Sequence, residues 1–376
     1  MGKHLALVGG GHAHLTVLLN IPRFVRRGHR VTLIGPSPYH YYSGMGPGML
    51  SGIYSPREVR FHVKKMVEDR GGIFVEDRVI QINPGQRTLN LQSGKEIDYD
   101  VVSFNTGSEV PLKSLVPAPR ENIVPVKPVF NLLQARRRII PKLKEKEMVF
   151  VVLGGGPAGL EVTANLWRLV QDSRGKARIA LIAGSRLLGG LSDRVRTMAL
   201  ASLSSRGVTV IEGKHGKEMT GEEIRLNDGS SHPFDFAFIA LGVQPSSIFG
   251  DSGIPAGPDG GLLVNPYLQS VAQPEMFGGG DCINLAERPL AKVGVYAVRQ
   301  NPILLHNLLA ALERKEMQAF TPQKDYMLIF NMGNGRGILW KKNFVWEGRM
   351  AFWLKDYIDR KFMQKFQVSG ERDEKE

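Results

Sequence analysis

Short unbroken apolar blocks along this chain alternate with stretches in which apolar positions return every three or four residues. Residues 5–8 form the first block, 14–24 carry the helical spacing, and 30–34 are apolar again. The same order recurs at 149–153, 158–170 and 178–182. A segment apolar on both faces reads as a buried parallel strand, so each repeat predicts strand, helix, strand. Between the repeats the pattern shortens to strands at 73–75, 79–83, 88–91 and 101–104. Turn signals at Pro84-Gly85 and Ser93-Gly94 separate them. Further short strands are predicted near 208–211, 223–226 and 236–241, another ends within 276–281, and a helix is predicted over 293–313. Strands alternating with helices in this way predict an α/β protein with parallel sheets.

Each repeat carries a glycine-rich turn between its first strand and its helix. The first reads Gly9-Gly-Gly11-His-Ala-His14, the second Gly154-Gly-Gly156-Pro-Ala-Gly159. A turn without Cβ atoms, followed by a helix whose first N–H groups point outward, suits a pyrophosphate. A chain that builds this turn twice is suited to two dinucleotides and to passing electrons between them.

Composition narrows the chemistry. The 376 residues allow two or three domains, and 42% hydrophobic content argues against disorder. Cys282 is the single cysteine, which leaves no pair for a redox disulfide or a cysteine zinc site within the chain. No metal is expected, and electrons must rest on a bound cofactor. The net charge of +13 comes without a helix-turn-helix, zinc-finger or RNA-binding signature, so nucleic acid is not the expected partner. Anionic cofactors and an anionic membrane surface account for such charge. The cluster Arg136 to Arg138 with Lys142, Lys144 and Lys146 reads as a solvated basic face. No run approaches the roughly 18 apolar residues of a spanning helix or forms a signal peptide, so the expected location is cytoplasmic, free or peripheral on the inner face of the membrane.

Four motifs in order, Gly9-Gly-Gly11, Tyr99-Asp-Val-Val-Ser-Phe-Asn-Thr-Gly107, Gly154-Gly-Gly-Pro-Ala-Gly159 and Phe277-Gly-Gly-Gly-Asp281, resemble the FAD- and NAD(P)-dependent pyridine nucleotide-disulfide-oxidoreductase-like flavoproteins. The likeness is closest to type II NADH:quinone oxidoreductases and to the NADH-dehydrogenase-like domain fused to some selenide, water dikinases. It rests further on Tyr42-Ser-Gly-Met-Gly-Pro-Gly48, Val126-Lys-Pro128, residues 292–300 and residues 355–363. The kinase domain itself has no counterpart. The resemblance implies two Rossmann-like domains, with the FAD domain (1–118 and 243–320) split by an inserted NAD(P) domain (119–242). A C-terminal segment, 321–376, follows and contacts membrane or a second copy of the chain.

The resemblance also assigns site residues. Gly9 and Gly11 admit the FAD pyrophosphate. His14, where a small residue is usual, either touches phosphate or is a packed, satisfied histidine. Strand 30–34 ends without the usual acid, leaving Ser37 for the ribose. Thr106 and Gly107 close the first domain against FAD, and Gly44, Gly46 and Gly48 permit close approach to it. Tyr39, Tyr41 and Tyr42 stack on a ring or form a surface cluster. Gly280 and Asp281 meet the ribityl chain, while Lys292, Gly294 and Val295 lie near the pyrimidine edge of the flavin. Cys282 reads as a small packed residue. Gly154, Gly156 and Gly159 hold NADH or NADPH. Ser185 and Arg186, where an acid is again missing, would suit a 2′-phosphate. Glu161 lies near the nicotinamide–flavin contact or is an ordinary first-turn acid. Gln300 faces a quinone or is an unremarkable helix residue, its usual partner glutamine being replaced by Tyr296.

Residues 350–366 place Met350, Trp353, Leu354, Tyr357, Ile358, Phe362 and Phe366 at helical spacing among five basic residues from Arg349 to Lys365. This predicts an amphipathic helix that lies in a membrane interface, docks on the body or bridges a homodimer. The expected activity is transfer of hydride from NAD(P)H to FAD and of two electrons to a quinone. The alternatives are a soluble reductase with another small-molecule acceptor and a flavin-binding redox sensor.

Overall fold

A computed structural model of the chain describes residues 2–112, 115 and 120–374. Two five-stranded parallel sheets organise it. The first runs in the order Met276–Gly278, Val101–Phe104, His4–Val8, Arg30–Gly35 and Ile73–Glu76. The second runs Ile123–Pro125, Phe236–Ile239, Met148–Leu153, Ala177–Ile182 and Thr209–Ile211. An edge strand of the first sheet thus comes from sequence beyond the whole of the second. The domain boundary expected at 118/119 lies outside the described residues.

The two halves are built on one register. Val8 stands opposite Ile34 in the first sheet and Leu153 opposite Ile182 in the second, each pair at the mouth of a glycine turn. Central strands such as Met148–Leu153 are almost wholly buried, as parallel strands covered on both faces require. Each half also carries a small antiparallel sheet, one of them pairing Val79–Asn83, Thr88–Leu91 and Glu96–Asp98.

Several elements differ from expectation. The helix over 14–24 is two short helices, Leu15–Leu19 and Ile21–Val25, because Pro22 has no N–H to continue the ladder past Asn20. A helix at Gly46–Ser51 lies within the glycine-rich stretch, whose composition conceals it. The basic cluster sits on a helix, Phe130–Leu143, that buries Leu132, Leu133, Ala135, Ile139 and Leu143. Beyond residue 325 three antiparallel strands, Leu328–Asn331, Gly337–Lys341 and Phe344–Gly348, precede the helix Arg349–Phe366. Phe330, Ile338 and Val345 of these strands join the core of the second half, whereas Met363 and Phe366 join that of the first. The tail therefore packs on both.

Candidate functional site

The first glycine turn is held from inside. Gly9 has φ +86°, and a Cβ there would fall 2.4 Å from the Asn105 carbonyl oxygen. The Asn105 side chain accepts the Ala13 N–H at 2.9 Å and donates to the Gly279 carbonyl at 2.6 Å, tying this turn to the one that precedes Asp281. His14 is fully buried, with Nδ1 2.7 Å from the Gly9 carbonyl and Nε2 2.8 Å from the Ser103 hydroxyl. Burial lowers its pKa to about 4, against the pull of the Gly9 bond. Since the Gly9 oxygen can only accept, Nδ1 carries the proton and Nε2 accepts from Ser103. The expectation that His14 binds cofactor is corrected: both ring nitrogens are spent inside the protein.

Asp281 lies in a single 3₁₀ turn, Gly280–Cys282. Its Oδ2 accepts from Lys127 Nζ at 2.6 Å and from the Ser108 hydroxyl at 2.7 Å. Burial pushes its pKa up, but the Lys127 ammonium and the two hydrogen bonds outweigh this and hold the carboxyl below its ordinary range. Gln300, 1% exposed, accepts the Gly280 N–H at 2.7 Å. Lys292 Nζ donates to the Ile283 carbonyl at 2.6 Å and pairs with Asp259 at 2.6 Å. Lys292, expected near the flavin edge, and Gln300, expected to face a quinone or to be an unremarkable helix residue, brace the loop around Asp281 through these bonds. Gly294 and Val295 open that helix, and a Cβ on Gly294 would meet nothing within 4 Å. Cys282 is buried, its thiol against the Phe104 and Gly279 carbonyls at 3.4 Å.

The second turn is more open. Gly154 has φ +126°, with a Cβ position 2.3 Å from the Ala240 carbonyl oxygen, and a Cβ on Gly159 would lie 1.8 Å from that of Gly154. Those two glycines serve chain packing. At Gly156, which caps the helix Pro157–Asp172, a Cβ would meet nothing within 4 Å. The bare backbone and the positive helix end face the same space. Ser185 and Arg186 are exposed beyond the neighbouring strand, Arg186 being paired with Asp193.

The remaining expected residues are placed as follows. Thr106 is exposed and Gly107, at φ +74°, faces open space. The Ser37 hydroxyl accepts the Tyr39 N–H at 3.1 Å. The close approaches expected of Gly44, Gly46 and Gly48 are to the chain itself: their Cβ positions lie 2.7 Å from the Tyr42 ring, 2.9 Å from Val129 and 2.5 Å from the Tyr54 ring. Tyr39 packs on His62 and Arg60, and Tyr41 on Phe130.

A buried ionic network joins the two halves to the tail. Lys355 Nζ donates to the Gly44 carbonyl at 2.8 Å and to Asp359 at 2.7 Å, and Asp359 also accepts the Tyr42 hydroxyl at 2.9 Å. Burial alone would lower the Lys355 pKa, but Asp359 and Glu161 outweigh it and keep the ammonium charged. Glu161 accepts the Asn331 N–H at 2.7 Å, and its burial raises its pKa against the pull of Lys355. Sequence reasoning singled out Glu161 but gave no role to Asn105, Ser108, Lys127, Lys355 or Asp359, although all but Ser108 lie within the stretches that carry the resemblance. A further signal was the i, i+4 spacing of Lys355 and Asp359 on a predicted helix.

Residues 3–304 match the description of the pyridine nucleotide-disulphide oxidoreductase family. The chain belongs to that family. Its members bind FAD and use NAD(P)H. The single buried cysteine shows that the disulphide of the family's name has no counterpart within this chain. Among relatives, the internal alternative NAD(P)H-ubiquinone oxidoreductase A1 of Arabidopsis thaliana mitochondria is 26% identical over 226 residues, which are 55% of this chain and 44% of that protein. The chain spans about a third to a half of the length of some curated relatives it matches. The fold is that of NDH2 from Plasmodium falciparum (TM-score 0.81, 14% identity, 98% of both chains). It is equally that of the sulfide:quinone oxidoreductase of Aquifex aeolicus (TM-score 0.81, 18% identity, 98% of this chain and 92% of that one). The residues present fit the family's dinucleotides. Gly107, Gly156 and Gly294 bare their backbones to open space, and the buried Nε2 atoms of His12 and His40 have no partner among the described residues.

Proposed function

We propose that this flavoprotein oxidoreductase is an NAD(P)H:quinone reductase that works on a membrane surface. FAD, when bound, would supply the two-electron chemistry that links a nicotinamide to the acceptor. The chain's part is positioning and charge. Gly9, Gly11 and the Asp281–Lys127 pair hold the flavin dinucleotide. Gly156 and the helix end it caps hold the nicotinamide one, with Gly154 and Gly159 letting the chain pack closely behind them. Glu161 and Lys355 place one negative and one positive group where the two halves meet, and Lys355 Nζ holds the proton that a reduced acceptor needs.

The observation that carries this reading is the double face of the helix Arg349–Phe366. One side sinks Lys355, Asp359, Met363 and Phe366 into the body. The other leaves Met350 and Trp353 57% exposed and Tyr357 51% exposed, beside Phe344 and Trp346 of the preceding strand. Lys361 and Lys365 continue the outer side with positive charge. An exposed apolar face edged by cations suits insertion among anionic lipid headgroups, and a quinone is the acceptor such a surface would meet. Among the described residues no helix is long and apolar enough to cross a membrane. Support also comes from the relatives, since the Arabidopsis protein is named for ubiquinone and two neighbours of equal TM-score carry NDH2 and quinone in their names.

The test is rapid mixing of the yellow holoprotein with NADH or NADPH, then with ubiquinone and menaquinone analogues in anionic liposomes. Flavin reduction followed by reoxidation by quinone is expected. In Lys355→Met, reoxidation should slow by about 10²-fold or more while flavin reduction changes far less. Reduced flavin that is reoxidised by soluble acceptors but not by quinone would replace this reading with a soluble reductase. Bound flavin that neither nucleotide reduces would replace it with a redox sensor.

A further inference from the structure

In each half the second strand ends without the acid that normally accepts the ribose hydroxyls: Gly35 closes Arg30–Gly35, and Ala183 follows Ala177–Ile182. Register shows where an acid stands instead. Gly35 is opposite Glu76 on the third strand of the first sheet. In the second sheet Ile182 is opposite Ile211, which sets Ala183 level with Glu212. Both halves have moved the carboxylate one strand over.

The two acids are in different states. Glu76 is exposed, and its side chain makes no hydrogen bond or ion pair with another described residue. It is free to accept ribose hydroxyls in the half that holds FAD, whose ribose carries no 2′-phosphate. Glu212 is committed. One oxygen accepts the Leu187 N–H at 2.6 Å and the other pairs with Arg196 at 2.6 Å. Partial burial would raise its pKa, but the Leu187 N–H, Arg196 and the nearby Arg186 hold it below the ordinary range. A carboxylate so engaged, its charge offset by Arg196, repels an incoming phosphate less than a free one would.

Cations surround the turn at Gly184. Arg186 is 47% exposed and its partner Asp193 80% exposed, so their bond is a weak surface pair that a dianion can displace. The Lys214 backbone pairs with that of Gly184, and its ammonium is engaged by Asp228 at 2.6 Å. Ser185, between Gly184 and Arg186 in sequence, is exposed. We infer that the second pocket selects NADPH over NADH, with Arg186 and Ser185 receiving the 2′-phosphate and the Glu212–Arg196 pair keeping the usual carboxylate out of its way. This rests on the reading that the second pocket holds a nicotinamide dinucleotide.

Calorimetric titration of the holoprotein with NADP⁺, NAD⁺, 2′,5′-ADP and 5′-AMP tests it without turnover. NADP⁺ should bind about tenfold or more tightly than NAD⁺, and 2′,5′-ADP should exceed 5′-AMP by a similar ratio. Arg186→Ala should weaken NADP⁺ by about 10- to 100-fold and leave NAD⁺ within about twofold, with Arg186→Lys between the two. Arg186 is on the surface, and an unchanged melting temperature in both variants would confirm intact folding. NAD⁺ binding as tightly as NADP⁺, or an Arg186→Ala loss shared equally by both, overturns the selectivity and leaves the dehydrogenase reading standing. Binding of neither dinucleotide overturns both.

Discussion

In the first glycine turn the chain closes over its own backbone, with Asn105, His14 and the Gly279 carbonyl all bonded to or around it. In the second, two glycines serve packing while Gly156 is left facing open space. The sequences of the turns are nearly the same, so the difference arises from what the neighbouring strands bring. Asn105 follows the strand Val101–Phe104, and the equivalent neighbour in the second half brings Ala240, which has no side chain able to lock the turn. A turn locked by three segments suits a ligand that stays, and an open one suits a ligand that exchanges. Resident flavin and transient nicotinamide nucleotide need that division.

The contrast can be broken most severely at Gly159. Gly159→Ala would drive a Cβ to 1.8 Å from the Gly154 carbonyl oxygen. A loss of about 4–5 kcal/mol, read from the urea midpoint, is expected, whereas Gly156→Ala should cost under about 1 kcal/mol yet weaken nucleotide binding. Equal stability losses at the two positions would remove the distinction between packing and ligand glycines. Next comes Asn105→Ala, which orphans the Ala13 N–H and the Gly279 carbonyl at about 1–3 kcal/mol each. The purified variant should also retain less flavin, measured as the ratio of flavin absorbance to protein.

The third prediction concerns pH. His14 has a folded pKa lowered from 6.5 to about 4, so between those values the unfolded chain binds a proton that the folded chain refuses. Stability from this group is complete above pH 6.5 and falls as pH drops, by about 1.4 kcal/mol per unit. His14→Gln should flatten that part of the pH profile, and an unchanged slope would show that His14 is not held neutral. Smallest in its effect on folding is Trp353→Ser. The side chain is 57% exposed, so stability should move by less than about 0.5 kcal/mol, while liposome co-sedimentation weakens by about tenfold.

The parallel strands, the helices expected at 158–170 and 293–313 and the order of the two repeats were legible in the sequence because buried parallel strands are continuous apolar runs and their turns are marked by glycine. The short strands at 79–83, 88–91 and 223–226 appear at the expected positions. The helix Phe130–Leu143 was not legible, because its apolar positions are interleaved with Arg136, Arg137 and Arg138 and read as a charge cluster. Nor were the partners of Asp281. Lys127 and Ser108 lie 154 and 173 residues away from it, and no local pattern encodes a contact of that range. Gln300 and Lys292 show the converse case, in which motif position suggests chemistry and the structure spends the polar atoms on a nearby backbone turn and a neighbouring carboxylate.

The strand Leu328–Asn331 has a mechanical corollary. Asn331 gives its N–H to Glu161 and its side chain to Asn165, Asn165 receives the hydroxyl of Ser51 from the first half, and Gly333 is pressed so near Ala164 that a Cβ would stand 2.2 Å from its carbonyl oxygen. The two nucleotide units are thus bolted together across their seam. Any change in their relative orientation would have to break these contacts at the tail strand first.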